Sequence, residues 1–430
     1  MLMENFKIDY AACKSSPDGN IMAKIEKFQS HFKEHEKRGL NIYARSPMIS
    51  ACDREVEVLD RHTGQVNKML MFGSNSYLNA TICPAAVKKA SEVIQQCGIG
   101  TGGVPLLSGT SDYQNQLEKE ISQLLGFDDT ILFSSGFTAN IGALVGLVGP
   151  NNLLVFDKLN HASLIDGALM SGAKMTRYLH SNMHSLEKIL SQNADQYPCG
   201  MMVVTDGVFS MDGDVANLPE LLRLTKKYNT LLLIDDAHAT GIIGEGGAGT
   251  LSYFGITERD NIIVTGTLSK AIGTVGGFIT ASQKIIDYLR VYARSNMYST
   301  ALPQSVCAAA YEVLQDFKKH PEQREALNRN HNYVRSRLNE MGFNTLHSIT
   351  PIIPVIIGDE YVLTNLIKDI YDQGIFVNAI FPPVVPPKMC RIRIGVMSCH
   401  TQEDCDRMLD VFYETGKSME SSDPDHPTSV

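Results

Sequence analysis

A lysine and an aspartate, each placed where an apolar stretch ends, are the residues of this chain best suited to chemistry. Lys270 lies in the run VTGTLSKA (residues 264–271), after a β-branched stretch and before a glycine-rich one. Asp235 ends the apolar part of LLLIDDAH (residues 231–238), and His238 closes that run. A lysine amine forms a Schiff base with an aldehyde, and a carboxylate keeps a pyridine nitrogen protonated so that the ring withdraws electrons. The pair therefore predicts an enzyme that uses pyridoxal 5'-phosphate (PLP).

The elements that must position these residues alternate between strands and helices. Strand candidates are residues 130–133, 153–156, 201–205, 231–234, 262–265 and 278–280. Helical stretches, such as 186–192 and 218–228, lie between most of them. Alternation with near-continuous apolar strands predicts an α/β fold with a mainly parallel central sheet covered on both faces. Ligands bind beyond the carboxyl ends of such strands, and Asp235, His238 and Lys270 fall there.

The regions on either side of this pattern predict a division into further parts. The predicted parts are an N-terminal arm with short strands (1–74), a large PLP-binding domain (75–300), a small C-terminal α+β domain (301–416) and a disordered tail (417–430). In the arm, Asp18 is expected to cap a helix, and two short strands at 56–59 and 69–72 flank a turn at 62–64. The tail is polar and contains prolines, which is typical of disorder.

Composition excludes several classes of function. The net charge of −9 argues against nucleic acid as a partner, and no basic block marks a membrane surface. The longest apolar stretch, residues 141–149, is too short for a membrane span, and the first fifteen residues hold no apolar signal segment. Nine cysteines occur without a C-x-x-C pair, so no metal site is predicted and reduced thiols in a cytoplasm are expected.

Two patterns resemble motifs for dinucleotide and metal binding, but their sequence context favours neither function. Residues 98–103 fit G-x-G-x-x-G, but they follow a helix and precede Val104 and Pro105, which is not the strand–turn–helix context of a dinucleotide site. His180 and His184 have the spacing of metal ligands on a helix, yet the residues between them supply no glutamate base. We expect this histidine pair to face solvent.

Three further motifs, in order along the chain, resemble the α-oxoamine synthase family of fold-type I PLP-dependent enzymes. They are SSGFTAN (134–140), DKLNHAS (157–163) and TDGVFSMDGD (205–214), in which Asp206 replaces the commoner glutamate. The family includes 8-amino-7-oxononanoate synthase, 2-amino-3-ketobutyrate ligase, 5-aminolevulinate synthase and serine palmitoyltransferase. The resemblance covers residues 40 to 415 and implies a fold-type I PLP transferase fold with PLP as cofactor.

The resemblance also implies roles for individual residues of the cofactor site. Lys270, Asp235, His161 and His238 are the implied catalytic residues, with His161 stacked over the pyridine ring. The implied cofactor-binding residues are Ser135, Gly136, Phe137, His161, Ser210, Asp235, His238, Thr267, Ser269, Lys270 and Thr300. Within this set Ser210 and His238 lie near the ring hydroxyl. Thr300 reaches the phosphate of the neighbouring subunit, which implies a homodimer.

The substrate residues implied by the family are Asn75 and Arg393, the second of which takes the amino-acid carboxylate by a bidentate pair. Arg391 is expected to be a solvated strand residue. Phe381 stands where many oxononanoate synthases carry arginine, which favours a fatty acyl chain over one that ends in a carboxylate. The implied partners are an amino acid and an acyl thioester of coenzyme A or an acyl carrier protein.

The reaction implied by the family is a decarboxylative Claisen condensation. Glycine, alanine or serine would react with the acyl thioester to give an α-aminoketone, CO2 and free thiol. Two alternatives stay open: a fold-type I aminotransferase or lyase that shares Lys270 and Asp235, and a binding protein on the same scaffold without cofactor.

Overall fold

The computed structural model describes residues 19–37, 47–60, 63–198 and 200–422. The strands in this part of the chain are β1 Glu55–Leu59, β2 Val66–Met71, β3 Asp129–Phe133, β4 Leu153–Asp157, β5 Lys174–Tyr178, β6 Met201–Asp206, β7 Leu231–Asp235, β8 Ile262–Thr267, β9 Gly277–Ala281, β10 Ile352–Gly358, β11 Ile375–Phe376, β12 Asn378–Ile380 and β13 Cys390–Gly395. The helices are α1 Ile21–Lys37, α2 Pro84–Cys97, α3 Asp112–Leu125, α4 Gly136–Leu147, α5 Ala162–Ser171, α6 Met183–Asn193, α7 Leu218–Lys227, α8 Gly249–Tyr253, α9 Gln283–Tyr292, α10 Arg294–Met297, α11 Gln304–Lys319, α12 Glu322–Glu340, α13 Glu360–Asp372 and α14 Gln402–Ser422.

The chain forms two compact units whose limits differ from the predicted domains. Of the described residues, the large unit comprises those within 75–210 and 214–325, and the small unit comprises those within 19–74, 211–213 and 326–422. The predicted boundary at residue 300 falls too early because α11 packs against α2 and α3. The N-terminal arm, predicted as a part of its own, belongs to the same unit as the C-terminal residues.

A seven-stranded sheet organises the large unit, and its mainly parallel character confirms the predicted fold class. The strand order is β3-β9-β8-β7-β6-β4-β5. Only β9 runs antiparallel, against both β3 and β8, while the other pairs are parallel. Every residue of β4, β6 and β8 is buried, as expected for strands covered on both faces. Sequence analysis missed β5, an edge strand with exposed Lys174 and Arg177 that lacks this apolar signature.

The small unit has the α+β organisation predicted for the C-terminal domain. Strands β10, β13 and β12 form an antiparallel sheet, and β1, β2 and β11 form a second, mixed one. Helices α13 and α14 contribute to a core that includes Ile367, Ile392 and Phe412.

Three expectations about the ends of the chain have different outcomes. Asp18 and part of the 62–64 turn lie outside the described residues, and Asn20 caps α1, its Oδ1 accepting from the backbone of Met22 and Ala23. Disorder from residue 417 is wrong for 417–422, which continue α14. No helix in the described part of the chain is long and apolar enough to span a bilayer.

Candidate active site

Parallel strands bring the candidate residues to one edge of the large unit's sheet. Asp206 ends β6, Asp235 ends β7, and the two are register partners, while Asp235 also pairs with Thr265 of β8. Lys270 lies in the turn after β8, which is closed by bonds from Leu268 N to Gly276 O (3.0 Å) and from Gly273 N to the carbonyl of Lys270 (3.0 Å). The strand ends therefore place acid and amine at neighbouring positions, as the sequence predicted.

A cavity of about 250 Å³ opens at this edge. It is lined by Ser135, Gly136, Phe137, Asn140, His161, Ser163, Asp206, Val208, Asp235, Ala237, His238, Thr267, Ser269 and Lys270. The four predicted catalytic residues are all in this lining. So are the predicted phosphate-binding residues of α4 and of the β8 turn, which means that distant segments of sequence converge on a single cavity.

The carboxylate of Asp235 is held in a fixed orientation by donors from two elements. Its Oδ2 accepts a hydrogen bond from Asn140 Nδ2 (2.7 Å), and its Oδ1 accepts from the backbone of Ala237 (3.0 Å). Asn140 is itself fixed, because its Oδ1 accepts from Thr265 Oγ1 (2.6 Å). Asp235 and Asn140 are both buried. A buried acid anchored in this way can face a protonated ring nitrogen without reorganising.

His161 begins α5 and is neutral. Burial lowers the pKa of its imidazole; Lys270 lowers it further, and Asp235 opposes the shift. Its Nδ1 lies 2.7 Å from Ser163 Oγ, which accepts a hydrogen bond from Asn140 Nδ2 (2.8 Å). The backbone N–H of Ser163 also points at Nδ1 (3.3 Å). Because Nδ1 is an acceptor, the ring proton lies on Nε2.

Asp206 contributes a second buried acid, whose role the sequence left open. Burial raises the pKa of Asp206 well above its usual value, and the neighbouring Asp235 adds to the shift. Its Oδ1 accepts a hydrogen bond from the backbone N–H of His161 (3.1 Å). Asp206 therefore fixes the start of the segment that bears His161.

His238 is connected to Asn75 through a tyrosine that sequence analysis did not single out. The hydroxyl of Tyr77 donates to Asn75 Oδ1 (3.2 Å) and lies 2.8 Å from His238 Nδ1. Since the hydroxyl proton is used on Asn75, the ring nitrogen of His238 is the donor in the second bond. The predicted substrate residue Asn75 is thereby tied to a residue of the cavity, although Asn75 is not part of its lining.

One corner of the cavity has the chemistry of a phosphate site. Ser135 caps α4: its Oγ accepts from Thr138 N (3.1 Å), and its own N–H donates to Thr138 Oγ1 (3.0 Å). A helix N-terminus leaves N–H groups available to an anion. The backbone here is closely packed, because a Cβ on Gly136 would lie 3.0 Å from Thr267 Cβ. Together with the amine of Lys270 and the acid Asp235, this corner fits PLP.

Besides Asn75, three predicted site residues lie outside the cavity lining. Ser210 is in the turn that follows Val208, and Thr300 is exposed beside a separate small cavity. Arg393 belongs to the small unit, where it is buried on β13 opposite Pro354 and Asn378. The structure therefore brings together the other cofactor residues of the large unit, and the roles of Ser210, Thr300 and Arg393 stay predictions.

Two expectations about polar side chains are wrong. Arg391 is buried, not solvated: its guanidinium pairs with Asp212 and donates to the carbonyl of Met211 (3.0 Å), all within the small unit. His180 precedes α6 and is half-buried between two carboxylates, so only His184 faces solvent. In both cases the acidic partner lies far away in sequence, which no local pattern reveals.

Two of the residues that the sequence analysis did not single out lie inside the motifs that it quoted. Asn140 and Ser163 are polar, whereas the other buried residues of their helices are apolar. That contrast was the available signal, because a buried amide or hydroxyl must have hydrogen-bond partners. Tyr77 gave no such signal.

Comparison with known proteins agrees with this geometry. The sequence profile of the aminotransferase class I and II family matches residues 67–412. A putative 8-amino-7-oxononanoate synthase of Acetivibrio thermocellus is 39% identical over 91% of this chain and 98% of its own length. A serine palmitoyltransferase of Sphingobacterium spiritivorum is 37% identical over 92% of this chain and 98% of its own. The solved serine palmitoyltransferase of Sphingomonas wittichii superposes with a TM-score of 0.87 at 27% identity, covering 94% of this chain and 99% of that one.

Proposed function

We infer that this chain, which belongs to the α-oxoamine synthases of the aminotransferase class I and II family, joins glycine, alanine or serine to a fatty acyl thioester. The enzyme is a PLP-dependent acyltransferase, and its reaction is the decarboxylative condensation of an amino acid with an acyl thioester. The observation that carries the assignment is the cavity in which Lys270, Asp235 and His161 meet beside the N-terminus of α4.

Different residues of the cavity are proposed to contact the ring nitrogen, the phosphate and the aldehyde carbon of the cofactor. When bound, PLP supplies a protonated pyridine ring that withdraws electrons from the Cα of the amino acid. Asp235, anchored by Asn140, would face the ring nitrogen, and the N–H groups at Ser135, Gly136 and Phe137 would hold the phosphate. The amine of Lys270 would hold the aldehyde carbon and, once displaced by the amino acid, would remove the proton from Cα.

Neutral His161 is suited to lie over the ring. An uncharged imidazole stacks on a cationic ring without electrostatic repulsion, and its Nε2–H remains free to donate into the cavity, because Ser163 occupies Nδ1. We propose that Nε2 holds the carboxylate or the thioester oxygen of a substrate. Ser210 and His238 are proposed to contact the ring hydroxyl, a role that Tyr77 supports by fixing the ring of His238.

The acyl group is proposed to be a fatty chain carried by coenzyme A or an acyl carrier protein. Phe381 packs against the apolar core of the small unit and offers no charge to a terminal carboxylate. Arg393 is proposed to take the carboxylate of the amino acid, since a planar guanidinium binds it through two parallel hydrogen bonds.

The active form is proposed to be a homodimer in which Thr300 completes the site of the partner. Thr300 is exposed next to Tyr298, which is 68% exposed. The segment is bonded to the glycine loop through Ala301 N and Gly103 O (2.9 Å). Ile99, within that loop (residues 98–103), and Leu107, shortly after it, are 84% and 83% exposed. Apolar side chains so fully exposed favour a protein partner, and a second copy would cover them.

Subunit mixing tests the dimer. Lys270→Ala and Thr300→Asp proteins are each expected to be inactive. Mixed dimers should regain activity, because one site then receives a wild-type Lys270 from one subunit and a wild-type Thr300 from the other. If each site is built from a single chain, every site of a mixed dimer carries one defect and no activity returns.

We also propose that the protein is located in the cytoplasm. The seven cysteines in the described part of the chain are all free thiols, and several of them are buried. Thiols persist in a reducing compartment.

The deciding experiment is a matrix of amino acids against acyl-coenzyme A chain lengths, scored by free thiol and CO2. The proposed function predicts release of both, in equal amounts, for one small amino acid and a long saturated chain. An aminotransferase releases neither, and a hydrolase releases thiol without CO2. Lys270→Ala is the blank for non-enzymatic hydrolysis.

A further inference from the structure

We propose that His180, a residue outside the cavity, is a positioning residue that ties the segment bearing His161 to the turn bearing Ser210. The proposal rests on the proposed function, because it concerns the same site. It assigns to His180 no contact with substrate or cofactor; its effect passes through two carboxylates, Asp157 and Asp214.

The ring of His180 is held at both nitrogens. Nδ1 lies 2.9 Å from Asp157 Oδ1, and Nε2 lies 3.0 Å from Asp214 Oδ2. A carboxylate only accepts, so both nitrogens donate and the ring is an imidazolium. Burial opposes this charge, but the two carboxylates outweigh it and raise the pKa of His180 to about 10. The ring of Phe209 packs against the imidazole, with 4.5 Å between the ring centroids and an interplanar angle of 84°.

At one end of the bridge, Asp157 shapes the connection from β4 to α5. It is buried, its Oδ1 also accepts from Leu159 N (2.9 Å), and its Oδ2 accepts from Ser181 N (2.9 Å). The connection continues through residue 160 to His161. The position of the stacking histidine therefore depends on where the Asp157 carboxylate is held.

At the other end, Asp214 closes the turn that follows β6. Its carbonyl accepts from Phe209 N (3.0 Å), and next to it Val208 pairs with Val215 in an isolated bridge. Val208 lines the cavity. Among the described residues Asp214 Oδ1 finds no hydrogen-bond partner, so His180 is the group that stabilises this carboxylate.

Removal of the imidazolium leaves two carboxylates facing each other across the space that it filled. Their repulsion and the lost bonds would let the His161 segment and the Val208 turn separate. A displacement of about 1 Å in a catalytic site costs about a hundredfold in rate. The anchors of Asp235 and Lys270 do not involve His180, so covalent attachment of PLP should survive.

The experiment compares His180→Ala and His180→Arg with His184→Ala, an exposed histidine four residues further on. For each PLP-loaded protein, kcat, both KM values, the circular dichroism of the cofactor band and the melting temperature are measured. His180→Ala should lower kcat ten- to a hundredfold, change the cofactor dichroism and keep KM for the acyl thioester within about threefold. His180→Arg, which restores a cation with several donors, should recover at least part of kcat, and His184→Ala should match wild type.

A lower melting temperature with unchanged kcat and dichroism would overturn the proposal and leave His180 a purely structural residue. If His180→Ala does not fold, Asp214→Asn is the variant to test, since it weakens only one end of the bridge. The kcat of Asp214→Asn should fall measurably but less than tenfold. An unchanged kcat would count against the proposal. If wild type releases no thiol, the proposed function is refuted but the role of His180 is not. The dichroism of the cofactor band still tests that role, because it needs no turnover.

Discussion

The side-chain amide of Asn140 donates to Asp235 Oδ2 at 2.7 Å and to Ser163 Oγ at 2.8 Å, so that one nitrogen holds two parts of the site. Ser163 Oγ in turn lies 2.7 Å from His161 Nδ1. The acid behind the cofactor ring and the imidazole above it are thereby oriented by one buried residue of α4.

Replacement of Asn140 by alanine should damage both stability and catalysis. Asp235 loses one of its two donors and Thr265 loses its acceptor in the interior, which costs about 1–3 kcal/mol of unfolding free energy for each group left unsatisfied. We expect kcat to fall about ten- to a hundredfold, because the Asp235 carboxylate is no longer held in its orientation toward the ring nitrogen. Urea unfolding and thiol release measure the two effects. Asn365→Ala, at an exposed position of α13, should change neither.

The main features of this site follow from local sequence. Lys270 and Asp235 were predicted because each ends an apolar run, and a parallel sheet collects such ends at one edge. The buried strands of the large unit were predicted because their apolar runs are continuous. The edge strand β5 was missed, since half of its residues face solvent and resemble a loop.

Interactions between distant segments could not be predicted in this way. Arg391 looked like a solvated strand residue because its partner Asp212 is remote in sequence, and only the fold brings them together. His180 resembled a metal ligand by spacing alone, while its two carboxylates come from β4 and from the turn after β6. A buried cation is stable only with such partners, and a sequence does not state which acids will be near it.

Replacement of Lys270 by alanine should abolish turnover while leaving the fold intact. The residue is half-buried in a turn whose closure depends on backbone bonds, so the unfolding free energy should change by less than about 1 kcal/mol. Thiol release should fall at least about a thousandfold, because both the covalent attachment and the base for Cα are lost. After borohydride reduction, mass spectrometry should find the cofactor on Lys270 in wild type and nowhere in the variant. Retained turnover would remove Lys270 from the mechanism.

The stability of the protein should fall at alkaline pH through His180. Its pKa is raised to about 10 in the folded state by Asp157 and Asp214, against burial, from an ordinary value of about 6.5. The stabilisation is thus complete below pH 6.5 and is lost as pH rises through 10, with a slope of at most about 1.4 kcal/mol per pH unit. Urea unfolding between pH 6 and 10.5 should show this slope in wild type and in His184→Ala, and a flatter curve in His180→Ala. Equal slopes in all three would contradict the assignment of the charge.

Gly277 should be required for PLP affinity although it does not line the cavity. A Cβ at this position of β9 would lie 2.3 Å from the carbonyl oxygen of Ser135 and 2.4 Å from the amide nitrogen of Gly136. Both are backbone atoms of the phosphate corner, so in Gly277→Ala the N-terminus of α4 must move away from β9. We expect PLP to bind at least tenfold more weakly in a titration of the apoprotein, with loss of about 1–3 kcal/mol of unfolding free energy from overpacking. Gly149→Ala is the matched control, because nothing lies within 4 Å of its Cβ. Wild-type PLP affinity in Gly277→Ala would mean that the phosphate is held elsewhere than at Ser135 and Gly136.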